Sequence, residues 1–201
     1  METSKNRAAL QGVAEGAPQP SHINHGVTYY TFPLAVERLS GAVDTLNVVA
    51  SEEVLEQCPV TAGEEYRLTG EVRSFNNHTG LGARLVITFF ARTMEPAQGE
   101  HENRLELTGV LCKAPILRRT PLGREICDML LAVNRRYGRA DYLPCIAWGS
   151  LARSCGALEV GDTVSLRGRL QSRKYRKVEG DREEERTAYE VSVMELEAVE
   201  E

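Results

Sequence analysis

Apolar and polar side chains alternate from Arg104 to Cys112 (R-L-E-L-T-G-V-L-C), which is the period of a strand with one buried face. Gly109 inside that run suits a bend or bulge. Arg118–Gly123 (R-R-T-P-L-G) reads as a turn. Arg124–Asn134 (R-E-I-C-D-M-L-L-A-V-N) fits a helix or a strand on period alone. The turn before it and Tyr137-Gly138 after it favour an arm of a hairpin. Asp141–Trp148 reads as a third strand, with Pro144 implying an edge or bulge. Gly149–Gly156 (G-S-L-A-R-S-C-G) reads as one short helix ended by glycine. Leu158–Gly161 turns into a fourth strand, Thr163–Leu170, and Thr187–Leu196 is a fifth.

The same pattern occurs earlier in the chain. A shift of 97 positions aligns Asn6–Cys58 with Asn103–Cys155 without a gap, and seventeen of these 53 pairs are identical. They include Gly12 with Gly109, Arg38 with Arg135, Gly41 with Gly138, Asp44 with Asp141 and Cys58 with Cys155. After one extra residue in the second copy, Gly70 meets Gly168 and Ser74 meets Ser172. The 201 residues therefore divide into two copies, 1–98 and 101–201, joined through the polar stretch Glu95–Glu100. In the first copy the expected strands are Tyr29–Arg38, Thr45–Ala50, Arg67–Arg73 and Ala83–Arg92, with Glu52–Cys58 as the short helix. Its opening run A-A-L-Q-G-V-A is weakly hydrophobic and predicts a poorly ordered first strand. Three strands, a short helix and two strands in about 100 residues is the order of an OB-fold. The fold class is all-β: two tandem five-stranded OB-fold barrels, each with a short helix between strands three and four.

Charge separates the copies. The net charge is −5, yet Lys113–Lys177 carries fourteen Lys/Arg against five Asp/Glu, while residues 1–100 are net negative. A basic stretch inside an acidic chain points to one polyanion-binding surface. The five cysteines include no C-x-x-C pair and read as buried thiols, with no metal site and no cofactor implied. The four histidines fall outside any catalytic motif, and no enzyme is expected. Neither a leader core nor a membrane span is seen, so the expected location is cytoplasmic.

The second copy resembles the bacterial single-stranded DNA-binding protein family, including the related primosomal replication protein N. The resemblance rests on Asn103-Arg104-Leu105 with Leu107-Thr108-Gly109, on Ala114-Pro115, and on Leu131-Ala132-Val133-Asn134. It continues through Asp141-Tyr142 and Ala147-Trp148-Gly149 to Val160-Gly161-Asp162 and Gly168–Tyr175. It implies an extended strand lying across the barrel, with bases on aromatic rings and phosphates at Lys and Arg. The family's stacking positions fall on Tyr142, Trp148 and Tyr175, and Tyr137 lies close to another.

The residues support the same chemistry. Every base has a π-face, so a ring binds it without reading sequence, at about 1–3 kcal/mol per base. Arg135, Arg136 and Arg139 interleave with Tyr137 and Tyr142, and Arg173, Lys174, Arg176 and Lys177 surround Tyr175 on an expected loop. The acidic run Glu179–Glu185 reads as a solvated loop.

The first copy has Thr45 and Ser51 where the second has Tyr142 and Trp148, and Phe75 as its only aromatic near the strand four–five loop. It is expected to keep the fold and pack, standing in for a subunit through a pseudo-twofold interface, so that a homodimer would present four barrels. The segment Glu195–Glu201 follows the last strand directly, without the spacer and aromatic tip that recruit partner enzymes in the family. Two other readings stay open: a protein-assembly module, and a binder of single-stranded RNA.

Overall fold

The computed structural model describes residues 5–78 and 84–199. Twelve strands and two helices follow one another in two matching sets. The first set is β1 (Lys5–Ala14), β2 (Gln19–Asn24), β3 (Val27–Glu37), β4 (Val43–Ser51), α1 (Glu52–Gln57), β5 (Glu65–Asn76) and β6 (Leu85–Pro96). The second is β7 (Glu102–Leu111), β8 (Ile116–Arg119), β9 (Glu125–Asn134), β10 (Ala140–Trp148), α2 (Ser150–Gly156), β11 (Thr163–Glu179) and β12 (Arg182–Ala198). Ala83, expected to open a strand, lies outside the described residues.

Each set closes on itself. In the first, β1 pairs with β3, β3 with β4, β4 in parallel with β6, β6 with β5, and β5 with β1. In the second, β7, β9, β10, β12 and β11 close in the same order. These are five-stranded OB-fold barrels, with α1 and α2 each joining the third and fourth barrel strands. The inner faces follow strand alternation. Leu46, Val48 and Ala50 point inward on β4, and Leu143, Cys145 and Ala147 do so on β10.

Closure requires β1 and β7 to be paired along both edges, and glycine permits the crowding. A Cβ at Gly12 would strike the carbonyl of Ala35, and one at Gly109 the carbonyl of Ala132. The first strand, expected to be poorly ordered, is instead central. β1 pairs with β3, β5 and β7, and buries Leu10 and Ala14. Its small residues are what its crowded position demands, which a hydrophobicity scan scores as weakness.

A second departure concerns the strand four–five region of the second copy. Residues 171–177 and 182–186, expected as loops, continue β11 and β12 into one hairpin arm of two 17-residue strands. Of the expected tail, Glu195–Ala198 belongs to β12, where Ala198 pairs with Val164; residues 200 and 201 lie outside the described residues.

The halves join through β1 and β7, antiparallel from Lys5 opposite Thr108 to Gln11 opposite Glu102. They also hold each other by reciprocal side-chain contacts. Asp44 accepts from the backbone N–H and hydroxyl of Ser172 at 2.9 and 3.2 Å, and Asp141 accepts from the N–H of Ser74 at 2.7 Å. Arg38 chelates Asp44, and Arg135 chelates Asp141 while donating to the Ser74 carbonyl at 2.9 Å. Both carboxylates are fully buried. Each arm thus leaves its own barrel and leans on the other.

Candidate nucleic-acid interface

Alternation along β10 turns Tyr142, Pro144, Ile146 and Trp148 outward. Tyr142 is 46% exposed and Trp148 41%, high values for rings on a packed sheet. Six residues of strand set them roughly 20 Å apart on one face. The backbone N–H of Tyr142 donates to the Ser74 hydroxyl at 2.7 Å, so the first half fixes this ring's position. Gly149 follows Trp148 with φ of 63° and ends the strand by donating to the carbonyl of Glu125 at 2.9 Å.

Tyr137 projects from a 3-10 turn, Arg136–Gly138, with φ of 65° and 97% exposure. A bulky residue in the left-handed region is uncommon, and such conformations cost about 1–3 kcal/mol. Arg136 and Arg139 flank it, both exposed and neither paired with a carboxylate among the described residues. Arg135 is different. Its guanidinium is taken up by Asp141 and the Ser74 carbonyl, which makes it a fastener between the halves. The sequence gives no sign of this, because Asp141 is six residues away and Ser74 sixty-one.

Tyr175 lies on the outward face of β11, opposite Arg186, and the Arg173 guanidinium sits 5.8 Å from its ring centre. Register carries that face across the sheet: Arg169 is opposite Ser192, and Ser192 is opposite Ile146. Tyr175 and Tyr142 are therefore displaced from this row on the same face.

Around Tyr175 the cations are not isolated. Arg173 meets Glu190 at 3.3 Å, Lys174 meets Glu185 at 3.2 Å, and Arg176 meets Glu183 at 3.1 Å; Lys177 is opposite Glu184. Of the acidic run expected to be a separate solvated loop, Glu183, Glu184 and Glu185 lie on β12, the second strand of the arm, where they face these cations. Phosphates approaching the arm compete with the protein's own glutamates.

Some cations beside Trp148 were not legible as site residues. Trp148 is opposite Ile126, and Ile126 is opposite Arg118 on β8. Arg118 is half-exposed and held by Asp128, whose hydrogen bond raises the pKa of the guanidinium. Nearby, Arg153 and then Arg119 lower the pKa of the Glu125 carboxyl. The R-R-T-P-L-G stretch reads as a turn, but its first two residues end the edge strand β8, in register with the row that holds Trp148. Among the described residues, no group of three or more His, Cys, Asp or Glu could hold a metal, and no helix is long and apolar enough to cross a membrane.

Comparison with known proteins gives this face a context. Residues 102–199 match the model of the single-strand binding protein family. Over 87 residues the chain is 36% identical to a single-stranded DNA-binding protein of Clostridium tetani and 37% identical to single-stranded DNA-binding protein A of Bacillus subtilis. Each match covers 40% of this chain, and 60% and 51% of the respective relatives. The whole chain shares its fold with the wild-type single-stranded DNA binding protein from Thermus aquaticus. That similarity has a TM-score of 0.81 at 22% identity, over 98% of this chain and 94% of that one. The second copy, over residues 102–199, is thus similar to the single-strand binding protein family.

Proposed function

We propose that the second barrel binds single-stranded DNA without sequence preference and without catalysis. Bases stack on Tyr142, Trp148, Tyr175 and Tyr137, and phosphates meet Arg136, Arg139, Arg173, Lys174, Arg176 and Lys177. The observation that carries this reading is the pair Tyr142 and Trp148, both exposed on one face of β10, with the exposed Arg136 and Arg139, which meet no carboxylate among the described residues, in the turn that precedes β10. Rings that served only as core would be covered, and here the core is made by Leu143, Cys145 and Ala147 on the opposite face. The names of the relatives from Clostridium tetani and Bacillus subtilis point to the same ligand.

In this reading the first barrel packs against the second and positions it, as the Ser74 contacts to Asp141 and Tyr142 support. Two such chains would bring four barrels together. The test is a titration of oligo-dT, oligo-U and duplex DNA at two salt concentrations. Binding to oligo-dT that weakens steeply with salt and exceeds binding to duplex is the expected result. Equal affinity for single and double strands would overturn the proposal, and tighter binding of oligo-U would redirect it to RNA.

A further inference from the structure

Position by position, the first barrel has lost its aromatics, with Thr45 and Ser51 aligned with Tyr142 and Trp148. In three dimensions an aromatic has moved one strand over. Ser51 is opposite Tyr29 on β3, whereas Trp148 is opposite Ile126 on β9, and Tyr29 and Ile126 are aligned positions. The second barrel places its ring on the third barrel strand and an aliphatic residue on the second; the first barrel places its ring on the second strand and a serine on the third. The face is the same.

Tyr29 is one member of a row of rings. His22, exposed on β2, stacks on Tyr29 with centres 4.9 Å apart and planes within 10°. Tyr29 meets Phe90 of β6 at 5.6 Å. Arg92 sits over Phe90 at 4.8 Å and Arg73 at 6.0 Å. Neither Tyr29 nor Phe90 belongs to the hydrophobic core, to which β3 and β6 contribute Phe32 and Phe89 instead. Glu71 bonds to both guanidiniums and holds them near the ring, leaving the Arg92 side chain 55% exposed. Partly exposed rings with cations, outside the core, have the composition of a base-stacking surface.

Arg73 connects this row to the other barrel. Its guanidinium donates to Asp141 at 3.0 Å, and Asp141 immediately precedes Tyr142. The next residue on the arm, Ser74, takes the N–H of Tyr142. The two sets of rings therefore meet at the junction of the halves.

We propose that His22, Tyr29 and Phe90, with Arg73 and Arg92, form a second base-stacking surface that receives the same nucleic-acid strand as it leaves Tyr142. This rests on the reading of the second barrel as a single-strand binder, and the two can fail separately. The test uses the full chain and oligo-dT substituted with bromodeoxyuridine, crosslinked by ultraviolet light and mapped by peptide mass. The expected result is crosslinks at Tyr29 or Phe90 as well as at Tyr142, Trp148 or Tyr175. Crosslinks confined to the second barrel would overturn this inference and leave the reading of that barrel standing. Crosslinks confined to the first barrel would do the reverse, and no binding of oligo-dT at all would remove both.

Tyr29→Ala and the surface changes His22→Ala and Arg92→Gln give a second measure. An oligomer long enough to reach both barrels should lose between about fivefold and about a hundredfold in affinity for Tyr29→Ala, with smaller losses for the others. A short one that fills the second barrel should lose none. Unchanged affinity for the long oligomer in all three variants would also overturn the inference.

Discussion

Ala8 on β1 lies directly opposite Leu105 on β7, and the two residues occupy the same position in the two copies. Only a twofold relation pairs a position with its own counterpart, so the junction between the halves is isologous although one chain supplies both sides. The side-chain contacts obey the same symmetry. Asp44 of the first half accepts from the backbone N–H of Ser172 in the second, and Asp141 of the second accepts from that of Ser74 in the first. A junction of this kind, at which each arm depends on the other barrel, predicts that the halves unfold together.

The two aspartates at the junction test that coupling. Removing one member of a buried ion pair leaves an uncompensated charge and costs about 3–5 kcal/mol. Asp44→Ala and Asp141→Ala should each reach that range in urea unfolding, with a single transition retained. A loss below about 1 kcal/mol would show that the contacts are incidental.

Gly109→Ala and Gly12→Ala should lower Tm, since each new methyl meets a carbonyl of the neighbouring strand. Overpacking of this kind costs about 1–3 kcal/mol. Gly26→Ala, in a turn with open space around it, isolates the cost of a positive φ from that of collision. Thermal unfolding of the three variants separates these effects.

Tyr142→Ala and Trp148→Ala should each weaken oligo-dT binding by about 1–3 kcal/mol while leaving Tm near that of the parent. Trp148 is the chain's single tryptophan, so its fluorescence reports on its own site. Binding that leaves that fluorescence unaltered would remove Trp148 from the interface. Thr45→Ala, at the position aligned with Tyr142, serves as the control.

Arg136→Gln and Arg139→Gln should each reduce the slope of log affinity against log salt by about 0.7, the value for one phosphate contact on a single strand. Arg135→Gln should act on stability instead, because its guanidinium is committed to Asp141. If Arg135→Gln changed the slope and left urea unfolding untouched, its assignment to the junction would be wrong.

Burial pushes the Cys155 thiol up to about 11 and raises that of Cys145 still further. Both stay protonated in the folded chain while the unfolded chain ionises near its ordinary value of 9.0. Between about pH 9 and pH 11 the unfolded state therefore holds fewer protons, and stability falls as pH rises. Urea midpoints should be insensitive to these thiols at neutral pH and drop above pH 9. Cys145→Ser or Cys155→Ala should flatten that drop. Thiol reagents at pH 8 should reach the two cysteines only as fast as the chain unfolds.

The sequence alone determined the duplication, the order of strands and helix in the second copy, and the candidate rings Tyr142 and Trp148, while only the structure decided that Trp148 is exposed and not core. What the sequence determined is local. Alternation along one strand decides which side chains point outward, and a shift of 97 residues needs no coordinates. Tertiary structure decided what depends on partners distant in the chain. Weak hydrophobicity in β1 reflects pairing on both edges, which alternation within the strand does not reveal. The cations around Tyr175 acquired glutamate partners once the arm folded back on itself. Arg135 became a junction residue because Ser74 arrives from the other half. His22, Tyr29 and Phe90 became neighbours because three strands bring together residues up to 68 positions apart. Side-chain direction follows from two-residue periodicity, but cross-strand proximity depends on register, and register is fixed only when the barrel closes.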